Sequence, residues 1–200
     1  METAEIHHHQ IRQGLLANIK AEAGVDISKC YLCGKCSAGC PLASEMDFPP
    51  SLMARMIQLD SPEYDSKVMS SYSIWVCLTC NTCYSRCPME IDIPKMMDYL
   101  REEAFISGTC NKKARNIINF HKAFLKSIEV NGRLHELGLI VYFKVLSLRL
   151  MQDILLAPGM LIRGKLHIFP ERNKNVRSIH SIFNKTIFNK NGNARKEAIL

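Results

Sequence analysis

The sequence predicts an all-α chain, and three observations carry that reading. Apolar residues recur at steps of three and four rather than two. Two segments open with Asp-x-Pro, a pattern that starts helices. No stretch alternates apolar and polar residues as a half-buried strand does. With 200 residues, the chain is long enough for one domain with an extension or for two small domains.

The first helix is read from Ile11, Leu15, Leu16 and Ile19 and ends near Gly24. Asp47-Phe48-Pro49 opens the next, with Asp near the N-cap and Pro in the first turn. Its apolar residues are Leu52, Met53, Met56, Ile57 and Leu59, and Asp60-Ser61-Pro62 stops it. Asp92-Ile93-Pro94 opens another, which carries Met96, Met97, Leu100 and Ala104 and ends near Gly108. A further helix covers about residues 111–129, with Ile117, Ile118, Phe120, Ala123, Phe124 and Ile128 apolar and Gly132 as its stop.

Residues 134–161 are rich in apolar side chains, but Glu136, Lys144, Arg149 and Asp153 interrupt them. They read as an amphipathic helix packed on protein, not as a membrane span. The stretch after Pro170 is polar, with a short duplication, Ile182-Phe183-Asn184-Lys185 and Ile187-Phe188-Asn189-Lys190. It is expected to be loosely ordered unless a partner covers its apolar pairs.

The chemistry lies in one internal repeat. Cys30-Tyr31-Leu32-Cys33-Gly34-Lys35-Cys36-Ser37-Ala38-Gly39-Cys40-Pro41 returns 47 residues later as Cys77-Leu78-Thr79-Cys80-Asn81-Thr82-Cys83-Tyr84-Ser85-Arg86-Cys87-Pro88. Both copies read C-x2-C-x2-C-x3-C-P, the spacing of two-cluster ferredoxins. Three cysteines at steps of three wrap one turn of chain around a cubane and turn backbone amides toward its sulfides. The fourth, followed by Pro, belongs by that rule to the other cluster. Cys30, Cys33, Cys36 and Cys87 are therefore expected to hold one 4Fe-4S cluster, and Cys77, Cys80, Cys83 and Cys40 a second. Zinc is the alternative, but its modules pair two C-x2-C knuckles across a longer gap. Loss of the clusters is expected to unfold residues 30–100.

Within the repeat, Gly34 matches Asn81, and both residue types tolerate positive φ. Gly39 matches Arg86, which either raises the potential of a nearby cluster or is an ordinary surface cation. Cys110, outside both runs, reads as a thiol that is not a ligand, and Trp75 as packing beside the cluster region. His7, His8 and His9 read as a solvated terminus. His121 and His135 are assigned no chemistry.

Nine cysteines with no apolar export core point to a reducing compartment, the cytoplasm, and to metal ligation over disulfides. The formal charge is +7, and its excess lies in residues 163–200, where nine Lys/Arg face two Asp/Glu. Two oxidised clusters with eight thiolates would lower the total to about +3. The basic stretch reads as a docking arm for a protein rather than for nucleic acid. No phosphate loop, G-x-G-x-x-G or zinc-protease motif is present, so the chain reads as an electron carrier without a reaction site of its own.

The two cysteine runs, with Trp75-Val76 before the second, resemble the C-subunit of heterodisulfide reductase, its small iron–sulfur component. So do Asp92-Ile93-Pro94, Asn131-Gly132-Arg133, Gly164-Lys165-Leu166 and Phe169-Pro170, and the resemblance covers about residues 10–170. It implies an α-helical ferredoxin fold with two 4Fe-4S clusters and a helical C-terminal extension. It also implies a complex in which a flavin-containing A-subunit supplies electrons. The C-subunit, itself non-catalytic, relays them to a catalytic CCG-motif B-subunit, which reduces the disulfide of coenzyme M and coenzyme B. This chain has no Cys-Cys-Gly, so disulfide cleavage is expected in the partner.

The expected layout is an N-terminal amphipathic helix at 1–28, a dicluster domain at 29–108, a docking extension at 109–170 and a basic tail at 171–200. Related non-methanogenic sulfur-metabolism complexes and a free-standing dicluster ferredoxin are the alternatives. An iron–sulfur protein of the succinate dehydrogenase type would need further N-terminal cysteines, and residues 1–29 have none. A redox sensor binding nucleic acid through the basic stretch would show salt-dependent DNA binding.

Overall fold

The computed structural model describes residues 14–147, 173 and 175–188. Among these the chain is helical and no strand is present, as the sequence predicts. It divides into two compact units, Met1–Ala114 and Arg115–Leu200. Ile11, His7 to His9, residues 148–161, Gly164 to Leu166 and Phe169-Pro170 lie outside the described residues.

The first unit opens with α1 (Leu15–Asn18), which continues as a π-helical turn over Ile19–Ala23. Gly24, at φ 66°, ends it where the apolar spacing stops. The Asp65 carboxylate accepts a hydrogen bond from Leu15 N at 3.0 Å, which satisfies one of the amides a helix start leaves open. The two halves of the repeat follow. The first has a 3-10 turn (Ile27–Lys29), α2 (Lys35–Ala38) and α3 (Pro50–Gln58). After α4 (Pro62–Met69) the second has α5 (Ser73–Val76), α6 (Thr82–Ser85) and α7 (Ile93–Ile106).

Asp92 caps α7 as its sequence suggests, its side chain accepting from Lys95 N at 3.0 Å. Asp47 does not cap α3, whose N-cap is Pro49. Its carboxylate reaches instead to the start of α5, where it accepts from Tyr72 N at 2.7 Å, Ser73 N at 2.9 Å and Ser73 Oγ. The residue thus ties the first half of the repeat to the second.

One core joins these helices. Ile19, Ile27, Met53, Ile57, Val68, Ile74, Met96, Met97 and Leu100 are all fully buried in it. Removing each such side chain from water contributes roughly 1.5–3 kcal/mol. On α3 the inward residues are Met53, Ala54, Met56 and Ile57, while Leu52 and Leu59 face solvent. Trp75 is partly buried against this core.

In the second unit, α8 (Arg115–Asn131) packs against α9 (Glu136–Ser147). Phe120 meets Phe143 edge to face with ring centroids 5.8 Å apart. Helix α9 lacks the polar outer face expected of it, because its exposed residues include Ile140, Val141 and Val145. Residues 176–188, within the stretch expected to be loosely ordered, form α10 (Val176–Phe188), which packs on α8. Val176, Ile179 and Phe183, spaced three and four apart, are its less exposed positions. That stripe is hidden in the sequence by the surrounding Asn, Ser and Lys.

Gly132 lies at φ 73°, and a Cβ there would stand 2.8 Å from Asn173 Cβ and 3.1 Å from Val176 Cγ2. Gly132→Ala should therefore lower the stability of the second unit by about 1–3 kcal/mol, through strain and crowding together. Thermal melting followed by circular dichroism reads this, with the iron content unchanged.

Candidate metal centre

The cysteine loops repeat in backbone as well as in sequence. Leu32 and Thr79, at matched positions, have φ 63° and 50°, and Gly34 and Asn81 have φ 76° and 61°. The Gly34 and Asn81 conformations are those expected from residue type. Those of Leu32 and Thr79 are not, and left-handed backbone costs roughly 1–2 kcal/mol at each such residue. These turns curl each run into a cup and set amides on the sulfurs. Cys36 is bonded by Ser37 N, Cys77 by Thr79 N, Cys80 by Thr82 N and Cys83 by Tyr84 N. Ile91 N donates to Cys87 Sγ at 3.4 Å, and the Thr82 hydroxyl stands 3.4 Å from Cys80 Sγ.

The two cups meet through equivalent parts. Helix α2 packs on its counterpart α6, and Cys36 acts electrostatically on its counterpart Cys83. Gly39 carries the guanidinium of its counterpart Arg86, and a Cβ on Gly39 would lie 2.1 Å from Arg86 Nη1. Arg86 therefore sits between the loops, next to Cys87 in sequence and against the neighbour of Cys40.

Cys40, from the first run, lines one cavity with Cys77, Cys80 and Cys83. The cavity is partly open to solvent, and Leu42, Met46, Pro50 and Ile93 contribute apolar wall. On the other side, Cys87 stands with the first run. The Tyr31 phenol has its pKa raised by desolvation, by a hydrogen bond with Cys33 and by the charges of Cys33, Cys87 and Cys30. Cys30 likewise acts on Cys36. Among the described residues, no three His, Cys, Asp or Glu side chains converge on the position of a single ion.

Burial pushes the Cys83 thiol up to about 11, with the charge of Cys77 adding to the shift, and burial also raises Cys36 and Cys77. Cys80 is lowered by its bond with the Thr82 hydroxyl. A partly buried thiol set of this kind ionises when a cationic core replaces the protons. Eight thiols, inward amides and an apolar wall fit iron–sulfur clusters. Cys33 and Cys80, matched in the repeat, are exposed, so each cup has an edge at the surface. Cys110 lies outside the cups, its thiol directed to Ala104 O at 3.4 Å.

Two residues of the site escape a reading by sequence. Gln58 Nε2 donates to Ile27 O at 3.1 Å and Cys30 O at 2.7 Å. Arg101 donates to Ile74 O through Nε and to Cys77 O through Nη2. Ile27 and Cys30 are the repeat equivalents of Ile74 and Cys77, and Gln58 and Arg101 are each the ninth residue of their helix. Aligning the two helices on their Asp-x-Pro starts would not have paired them, since that offset sets Gln58 on Glu103.

Residues 26–91 match the family of 4Fe-4S dicluster domains. The chain is similar to the second iron–sulfur C-subunit of CoB–CoM heterodisulfide reductase from Methanocaldococcus jannaschii, 30% identical over 122 residues, covering 59% of this chain and 63% of the relative. The corresponding C-subunit of Methanopyrus kandleri is 29% identical over 115 residues, covering 58% of each chain. The C-subunit of the ferredoxin:CoB–CoM heterodisulfide reductase of Methanosarcina mazei is 34% identical over 103 residues, covering 52% of this chain and 61% of its own. The chain thus spans about three-fifths of the length of these relatives. It carries a 4Fe-4S dicluster domain and is related to the family of heterodisulfide reductase C-subunits that its cysteine runs resemble.

Proposed function

We propose that this chain is the electron-relay component of a heterodisulfide-reductase-type complex, non-catalytic itself, with eight cysteines holding two 4Fe-4S clusters. Cys30, Cys33, Cys36 and Cys87 hold one, and Cys77, Cys80, Cys83 and Cys40 the other. The observation that supports this most is that Cys40 of the first run lines the cavity of the second. The charge of Cys87 acting on Tyr31 of the first run supports the reverse exchange. When bound, such clusters take up and release one electron at a time.

The chain's own residues supply the rest. Thr82 and the loop amides hydrogen-bond the sulfurs and favour their charged form. Helix α2 packs on α6 and Cys36 acts electrostatically on Cys83, which supports neighbouring sites that exchange electrons. Cys33 and Cys80 bring each site to the surface, where a donor and an acceptor can approach. In this reading the donor is a flavin-containing A-subunit and the acceptor a CCG-motif B-subunit that reduces a disulfide. Residues 109–170 serve as the docking extension, and the complex works in the cytoplasm. Among the described residues no helix is long and apolar enough to cross a membrane.

Anaerobic affinity purification from the native host tests the reading. About eight irons per chain, with a flavoprotein and a CCG-motif protein co-purifying, are expected. The same iron content with neither partner would replace the relay role by that of a free-standing dicluster ferredoxin.

A further inference from the structure

The two cups are built alike but not charged alike, and the difference lies in what holds the carbonyl of each first cysteine. At Cys30 it is the neutral amide of Gln58. At Cys77 it is the guanidinium of Arg101, whose side chain is only 24% exposed. A guanidinium keeps its charge at every working pH. A cation held against a site's backbone stabilises the reduced cluster, which carries one more negative charge.

The surrounding charges do not cancel this difference. Asp98 pairs with Arg101 at 2.7 Å but is 61% exposed, so solvent and salt screen it. Lys29 and Lys35, the cations of the first run, are exposed and screened likewise. Arg86 lies against Gly39, so it adjoins Cys40 of one proposed site through that contact and Cys87 of the other in sequence.

We propose that Arg101 makes the site of Cys77, Cys80, Cys83 and Cys40 the more easily reduced of the two, so that an electron shared between them rests there. This inference depends on the ligand assignment proposed above. It gives the relay an internal direction, with the Cys30 side receiving and the Cys77 side handing on. Arg101 acts through the backbone of Cys77 and is a tuning residue, with Gln58 as its uncharged counterpart.

The test is an anaerobic redox titration of the intact protein followed by electron paramagnetic resonance. About eight irons per chain with two unequal potentials are expected in the wild type. In Arg101→Gln the higher potential should fall by at least a tenfold change in the reduction constant, about 59 mV for one electron, while the lower stays in place. Arg101→Lys, which keeps the charge, should recover most of that shift. Gln58→Arg should raise the lower potential and narrow the gap.

Equal potentials in an iron-replete wild type would overturn the proposal, as would movement of the lower potential in Arg101→Gln. If Arg101→Gln loses iron, Gln58→Arg decides the matter, and an unmoved lower potential there would overturn it. A wild-type iron content well short of about eight would refute the ligand assignment instead, before any potential is compared.

Discussion

Alanine at Cys40 should empty the site of the second run rather than that of its own. Iron should fall from about eight to about four per chain, and the surviving cluster should be the one that Cys30, Cys33 and Cys36 hold. The pairing of cups predicts how double substitutions combine. Cys40→Ala with Cys83→Ala removes two ligands of one site and should leave about four irons. Cys40→Ala with Cys36→Ala removes one ligand from each and should leave almost none. Ligation within each run would exchange those two results, so iron analysis of anaerobically purified variants separates the arrangements. The cavity shared by Cys40, Cys77, Cys80 and Cys83 is the reason to expect the first pattern.

Asp47→Ala should cost about 2–4 kcal/mol, although Asp47 is neither a ligand nor a fully buried residue. Its carboxylate takes bonds from Tyr72 N, Ser73 N and Ser73 Oγ, and Ser73 is fully buried. Removing the acceptor leaves buried donors without a partner, at roughly 1–3 kcal/mol each. The same bonds set a pH dependence. Desolvation raises the Asp47 pKa, but the bonds from Ser73, Tyr72 and Phe48 outweigh it and hold the group below its ordinary 3.8. A folded-state value below the unfolded one stabilises the fold fully above the unfolded pKa. That stability is lost as pH falls through the folded value. The stability gap between wild type and Asp47→Asn should thus be flat from about pH 7 to about pH 5 and shrink below about pH 4. Anaerobic urea unfolding measures it, and a gap that widens in acid would contradict the network.

What the sequence made legible was local. Asp92 and Pro94 mark a helix start through contacts within one turn, and the structure has it. Gly34 and Asn81 announce their backbone through residue type alone. The cysteine spacing is dictated by the shape of what is held, so it survives as a pattern. The less legible features depend on distance along the chain. Asp47, two residues before Pro49, looks like a cap, yet the partners that join it to α5 stand 25 and 26 residues away. Gln58 and Arg101 reach carbonyls 24 to 31 residues off, and nothing in their immediate neighbours signals it. Helix α10 went unread because three apolar residues at helical spacing are a faint signal among polar neighbours. For α9 the period was sound but the sidedness was not, since Ile140, Val141 and Val145 face outward.

The contact of Gly39 with Arg86 makes two positions related by the repeat share one volume. A Cβ on residue 39 would lie in the space that the Arg86 guanidinium fills, but that group is the far end of a flexible side chain and can swing aside. The two positions are therefore coupled: what one half of the repeat carries there sets where the side chain of the other half can rest.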